Sequence, residues 1–166
     1  MPENETLKRA RKDKREGKAP TTQAGEFVRE EMEHIREGKH GAQSTQQAIA
    51  IGLSKARRAG VKLPPPKKGQ AKKKTRYSAK RAYEAGQKGP KRASPTRSRA
   101  IKKALKREGR SAASKKALAK QARTAAAVRS ASQRSAAARK AVKTKGAGGR
   151  SAAARKAART RARRSR

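Results

Sequence analysis

Large apolar side chains are sparse along this chain and cluster between positions 27 and 63, where they recur at helical spacing. Phe27, Val28, Met32 and Ile35 follow the 3.6-residue period and predict an amphipathic helix over about residues 22–37. Pro20, Thr21 and Thr22 signal its start, Glu26, Glu30 and Glu31 suit its positive N-terminal end, and Gly38 supplies a stop. A second helix is expected over about 45–59, with Ser44 or Thr45 as N-cap, Ile49, Leu53 and Ala56 on one side, and Gly60 as C-terminal cap. Val61 and Leu63 then fold back as a latch before Pro64, Pro65 and Pro66 end any helix. The predicted unit is a helical hairpin over residues 21–63, cored by Phe27, Val28, Met32, Ile35, Ile49, Leu53, Val61 and Leu63. A unit this small is marginal alone, so a homodimer through the hairpin is expected.

The flanks bury little. Residues 1–20 mix both charge signs and read as a solvated leader. Residues 64–95 read as a Pro/Lys-rich linker with a short helix between Thr75 and Ala85, ended by Gly86. Residues 96–166 form an Ala/Lys/Arg-rich tail, in which Ile101 and Leu105 sit one turn apart and Gly109 closes a segment. From Arg110 to Lys145 there is no glycine, proline or acid in 36 residues. Twelve residues from Arg134 (R-S-A-A-A-R-K-A-V-K-T-K) and twelve from Arg150 (R-S-A-A-A-R-K-A-A-R-T-R) agree at nine positions, and a weaker copy, R-S-A-A-S-K-K-A-L, begins at Arg110. The copy spacings, 24 and 16, exclude a fixed-period solenoid. On a helical wheel Lys115, Lys116, Lys120, Arg123, Arg129, Arg134 and Lys140 fall loosely in one half, and Arg139 does not. The expected fold class is therefore mainly α without a sheet: a two-helix hairpin followed by a long basic tail, disordered when free and helical on binding.

Charge turns this pattern into a functional expectation. The net charge is +39, of which residues 41–166 supply +38: 40 lysines and arginines against Glu84 and Glu108. Such a chain repels itself unless a polyanion is present, so the expected partner is DNA, with RNA as an alternative. The candidate contacts are Lys55, Arg57, Arg58, Lys67, Lys68, Lys72, Lys73, Lys74 and Arg76 in and after the hairpin, and Lys102, Lys103, Lys106, Arg107, Lys115, Lys116, Lys120 and Arg123 further on. The repeats add Arg134, Arg139, Lys140, Arg150, Arg155, Lys156, Arg159, Arg161, Arg163 and Arg164. Alanine methyls and small hydroxyls between cations carry no base-reading chemistry, so these contacts are to phosphates and do not read sequence.

Other groups weigh less. Gln43, Ser44, Gln46 and Gln47 at the start of the second helix have the chemistry to meet base edges, but Glu26, Glu30, Glu31, Glu33 and Glu37 on the first helix would repel a phosphate backbone. Those glutamates read as a solvated acidic face in preference to a contact with the tail or with Lys55–Arg58. Tyr77 and Tyr83 are too isolated to predict base stacking. His34 and His40, separated by Gly38, read as a solvated pair and not as a metal site.

No cysteine is present, no apolar run reaches membrane-spanning length, and no nucleophile–base set, phosphate loop or cofactor motif occurs. The expectation is a cytoplasmic, nucleoid-associated protein that is not an enzyme and takes no cofactor, metal or small-molecule substrate.

The R-S-A-A-A-R-K-A texture over about 90–166 resembles the C-terminal tails of histone H1 and of bacterial histone H1-like nucleoid proteins. The stretch from Thr21 to Gly69, with its T-Q-A-G-E-F-V-R-E-E-M-E-H-I-R-E-G-K-H-G and A-I-G-L-S-K-A-R-R-A-G-V-K-L-P-P-P-K-K-G, resembles an uncharacterised family of small basic bacterial proteins variously labelled DNA-binding or plasmid-stabilisation. That resemblance implies a bacterial cytoplasmic setting and supplies no mechanism. The leading expectation is architectural DNA binding. Its alternatives are a ribosomal or other RNA-associated structural protein, and a plasmid-maintenance accessory whose hairpin holds a protein partner.

Overall fold

The structure is a computed structural model that describes residues 2–89 and 94–164. These form α1 (Asn4–Arg15), α2 (Pro20–Arg36), α3 (Thr45–Arg58), α4 (Lys73–Gln87), α5 (Pro95–Lys106), a 3-10 turn (Ser111–Ala113), α6 (Lys115–Ala127) and α7 (Ala131–Arg164). No strand occurs among the described residues. The chain divides into two compact units, residues 1–121 and 122–166.

In the first unit α2 and α3 form an antiparallel-type hairpin whose ends follow local chemistry. Pro20 occupies the first turn of α2, where its missing N–H costs nothing. The Ser44 hydroxyl caps α3 by accepting from the Gln47 amide. At the other end Gly60 takes φ 87°, so that its amide reaches the Arg57 carbonyl and the Val61 amide reaches the Ala56 carbonyl. This turn throws Val61 and Leu63 back onto the core. The two helices cross closely because Gly52 lacks a side chain: a Cβ there would lie 2.7 Å from the Val28 Cα.

Two apolar clusters result. Phe27, Ala24, Ala56, Val61, Leu63 and Ala10 form one, joined by half-buried Leu7 and Leu53. Met32, Ile35, Ala42, Ala48, Ala112 and Ala113 form the other, joined by Val28, Ile49 and Leu118. Each cluster thus recruits residues from outside the hairpin. Residues 4–15, read from the sequence as solvated leader, form α1 and lie on α2, burying Thr6, Ala10 and Asp13 along one face. Arg9 holds Glu26 at 2.7 Å across that contact. α4 lies on α3 and buries Ala79 and Ala82. Gly86, expected to end this helix, lies inside it, where its lack of a side chain lets the Arg57 carbonyl approach.

The expectation of a long tail that is disordered when free is overturned. The described residues from 95 to 164 are almost continuously helical, while the mainly-α, sheet-free part of the expectation fits. Alanine, lysine and arginine have high helix propensity, and a helix satisfies its backbone hydrogen bonds internally without needing a core. Start signals are present too. Ser114 caps α6 through the Ala117 amide. Ser130 and Gln133 cap α7 reciprocally, each side chain accepting from the other's amide. Residues 111–118 are not tail at all, since Ala112 and Ala113 are buried in the second cluster.

The second unit is the end of α6 and α7. Gly146, at φ 64° and ψ −179°, breaks α7 in two, placing one strong repeat copy on each side. A wheel running through 115–140 is not realised, because α6 ends at Ala127 and α7 starts at Ala131.

Candidate nucleic-acid interface

The structure sorts the expected phosphate contacts by whether their charge is turned outward. Lys55 is not outward. Its Nζ lies 2.6 Å from Glu31 Oε2 and 3.4 Å from Glu30 Oε1, and both glutamates are essentially buried. Arg57 is also withdrawn: 6% exposed, it donates to the Leu63 and Pro64 carbonyls, and burial lowers its pKa from the ordinary arginine value. It fastens the proline segment to α3. Arg76 is half-buried, with its Nε buried and lacking a hydrogen-bond partner among the described residues. By contrast Arg58, Lys67, Lys68, Lys72, Lys73 and Lys74 are exposed.

The glutamates of α2 divide similarly. Glu30 and Glu31 face inward to Lys55, whereas Glu33 pairs with Arg29 and Glu37 with Lys39 at the surface. The solvated acidic face expected from the sequence therefore holds for only part of the run. Glu3, at the start of α1, accepts from His34 and Lys39, and these two hydrogen bonds, His34's foremost, hold its carboxyl below the ordinary value.

A continuous cationic surface lies on α5. Arg99, Lys102, Lys103 and Lys106 stand at i, i+3, i+4 and i+7, the spacing that puts four side chains on one face. With Arg107 they line a shallow concave surface of about 460 Å³ with no carboxylate among its described lining residues. The end of α5 is anchored: the Gly41 amide donates to the Leu105 carbonyl at 2.8 Å, and the Ala42 amide to Gly109 at 3.1 Å. Gly41 permits this approach, since a Cβ would strike the Glu108 carbonyl.

Arg99 was absent from the sequence-based set, although its spacing marks it. The same spacing exists on α1, where Lys8, Arg11, Lys12 and Arg15 are all exposed, and Lys8, Arg11, Lys14 and Arg15 line a second shallow surface of about 650 Å³. The local charge balance of residues 1–40 hid this face.

Further along, Lys115, Lys116, Lys120 and Arg123 on α6 are exposed, as are Arg134, Arg139, Lys140, Arg150, Arg155, Lys156, Arg159, Arg161 and Arg163 on α7. The Arg164 side chain lies outside the described residues, as do residues 90–93 of the breaker-rich segment. On α7 the cations ring the helix instead of forming one face. No acidic side chain follows Glu108 in sequence.

The groups considered for base contact are placed differently. Gln43 and Gln46 are exposed, but Gln47 is half-buried and engaged with the Gln43 amide as part of the α3 cap. Tyr77 is 63% exposed with the Arg81 guanidinium 5.9 Å from its ring, and Tyr83 is half-buried. The two histidines are largely but not fully withdrawn from solvent, at 13% and 16% side-chain exposure. The turn at Gly38 brings His40 back against His34, with ring centroids 6.0 Å apart.

The profile of a family of unknown function (DUF6496) matches residues 17–68, which cover α2, α3 and the proline segment. The matched stretch is under a third of the chain and carries no described activity. No curated protein and no solved structure matches the chain. No described helix is long and apolar enough to cross a membrane.

Proposed function

We propose that this protein binds nucleic acid, duplex DNA foremost, through phosphate contacts that do not read base sequence. The observation that carries the reading is the α5 stripe of Arg99, Lys102, Lys103, Lys106 and Arg107, set on one surface with no carboxylate among them. Cations held on a preformed helix lose less side-chain and backbone freedom on meeting phosphates than cations on a coil do. The exposed cations of α6 and α7 add charge without adding base recognition, because their neighbours are alanines. Lys55 and Arg57 are left out of this interface, since both are committed to internal partners.

The test is binding of the full chain to duplex DNA across a salt series, by fluorescence anisotropy, beside a variant with all five α5 cations changed to glutamine. Each phosphate contact contributes about 0.9 to the log–log salt slope, so loss of all five flattens it by about 4.5. Equal affinity for unrelated sequences is expected. Binding that survives high salt undiminished, or none at low salt, overturns the reading. Structured RNA outcompeting DNA at equal phosphate concentration would assign the surface to RNA instead.

A further inference from the structure

We propose that Glu31, His34 and His40 form a binding site for a divalent transition-metal ion, with zinc the best-suited ligand. The sequence separates these residues, yet the fold converges them. Glu31 and His34 lie three residues apart on α2, and the turn through Gly38, at φ 78°, folds His40 back onto them. One donor atom from each residue lies within 4.8 Å of the other two. His40 Nε2 is 3.3 Å from Glu31 Oε1, close to the ~3.4 Å edge of a tetrahedron with bonds of about 2.1 Å.

The hydrogen bonds around the imidazoles are those a metal site needs. His34 Nε2 lies 2.7 Å from Glu3 Oε1, and a proton donated there leaves the ring lone pair on Nδ1. His40 Nδ1 lies 3.0 Å from the Gly41 carbonyl, and a proton donated there leaves the lone pair on Nε2. A carboxylate and a backbone carbonyl are the usual acceptors that orient metal-binding histidines and raise their basicity.

The carboxylate supplies an independent sign. Glu31 is 1% exposed, and among the described residues neither of its oxygens receives a hydrogen bond of good geometry, its near neighbours being Lys55 Nζ and His40 Nε2. Lys55 Nζ approaches Oε2 at 2.6 Å but is shared with Glu30, itself 2% exposed, so one ammonium faces two buried carboxylates. A buried charge lacking full compensation is costly, and a divalent cation at Oε1 would supply what Lys55 leaves unmet. Two imidazole nitrogens and one carboxylate oxygen suit zinc, whereas magnesium and calcium prefer oxygen alone. Three protein donors leave a fourth position for water. Such an ion would tie α2 to the loop whose Gly41 and Ala42 amides hold the end of α5.

The chain has two histidines and no cysteine, so binding by other soft ligands contributes little background. The test uses the full chain stripped of metal by chelation and carrying no histidine tag. Titration calorimetry with Zn2+ should give one site per chain, Co2+ should develop the visible bands of a low-coordinate nitrogen and oxygen site, and Zn2+ but not Mg2+ should raise the melting temperature. His40→Ala should lose all three responses while its far-ultraviolet dichroism stays that of the parent. Glu3→Gln, which removes the charged acceptor behind His34, should weaken Zn2+ by about 10- to 100-fold. If His40→Ala fails to fold, His34→Gln and the Co2+ spectrum of the parent decide the matter. Absence of Co2+ bands and of Zn2+ heat in the parent overturns the proposal, as does undiminished binding in the folded histidine variants.

Discussion

The Thr45 hydroxyl donates a 2.7 Å hydrogen bond to the Ala112 carbonyl, 67 positions later, and the contact is buried. It fastens the start of α3 to a segment that composition alone assigns to a free basic tail. Beside it, Arg36 Nε donates to the Ala113 carbonyl at 3.0 Å. Thr45→Val keeps the shape and removes the donor, leaving the Ala112 carbonyl buried without that partner. A loss of about 1–3 kcal/mol in unfolding free energy is expected, measured by denaturant titration. Unchanged stability would mean that residues 111–118 are not docked.

Gly52→Ala tests the α2–α3 crossing. Helix propensity alone predicts a gain of about 1 kcal/mol from replacing a mid-helix glycine. The new methyl would instead meet the Val28 Cα at 2.7 Å and the Phe27 carbonyl at 3.0 Å, backbone atoms that cannot swing aside. A net destabilisation of about 1–3 kcal/mol is expected from overpacking. A rise in melting temperature would show that the helices do not cross here.

Lys55→Met separates internal from external charge. Removing the ammonium strands Glu30 and Glu31 and should cost about 3–5 kcal/mol of stability. The salt slope of DNA binding, measured at a temperature where the variant remains folded, should stay unchanged. A slope reduced by about 0.9 would instead place Lys55 on a phosphate.

Acid should loosen α1. The hydrogen bond from His34, then that from Lys39, lowers the Glu3 pKa below its ordinary value of 4.5. A group depressed in the folded state contributes stability that is whole above its unfolded value and lost as pH falls through the folded one. Amide hydrogen exchange at Leu7 and Ala10 should therefore accelerate as the pH drops below the ordinary carboxylate range, after correction for intrinsic rates. Glu3→Gln should remove that part of the dependence, and an identical profile in the variant would exclude Glu3 as the cause.

The hairpin was legible because its signals are local. The apolar period of Phe27, Met32 and Ile35 predicts residues 22–37 against an observed 20–36, and Ser44 and Gly60 bracket an α3 that ends one residue short of the expected 59. The cation spacing of α5 and the pairing of Ser130 with Gln133 at the start of α7 are local signals too, though neither entered the expectations. A lack of large apolar residues does not imply disorder: up to residue 118 alanines bury small areas against several neighbours, while the exposed alanines of α7 are helical through propensity. Ala10, Ala79, Ala82, Ala112 and Ala113 are all buried in this way.

The repeat copies separate the two kinds of information. Arg110–Leu118 and Arg134–Val142 share most residues, yet the first forms a 3-10 turn and a capped helix start, whereas the second runs straight within α7. Part of the difference is local: Ser114 caps a new helix where the other copies carry Ala138 and Ala154. The rest is tertiary, for Ala112 and Ala113 are buried only where Met32, Ile35 and Ala48 present a surface to receive them. By itself, then, the sequence determined the two helices of the hairpin, where they start and stop, and that the net positive charge lies after residue 40. Tertiary structure alone decided which cations face inward, which alanines form the core, and that Glu31, His34 and His40 meet. Helical period and caps depend on neighbours within one turn, while burial and convergence depend on shapes assembled from residues far apart in the chain.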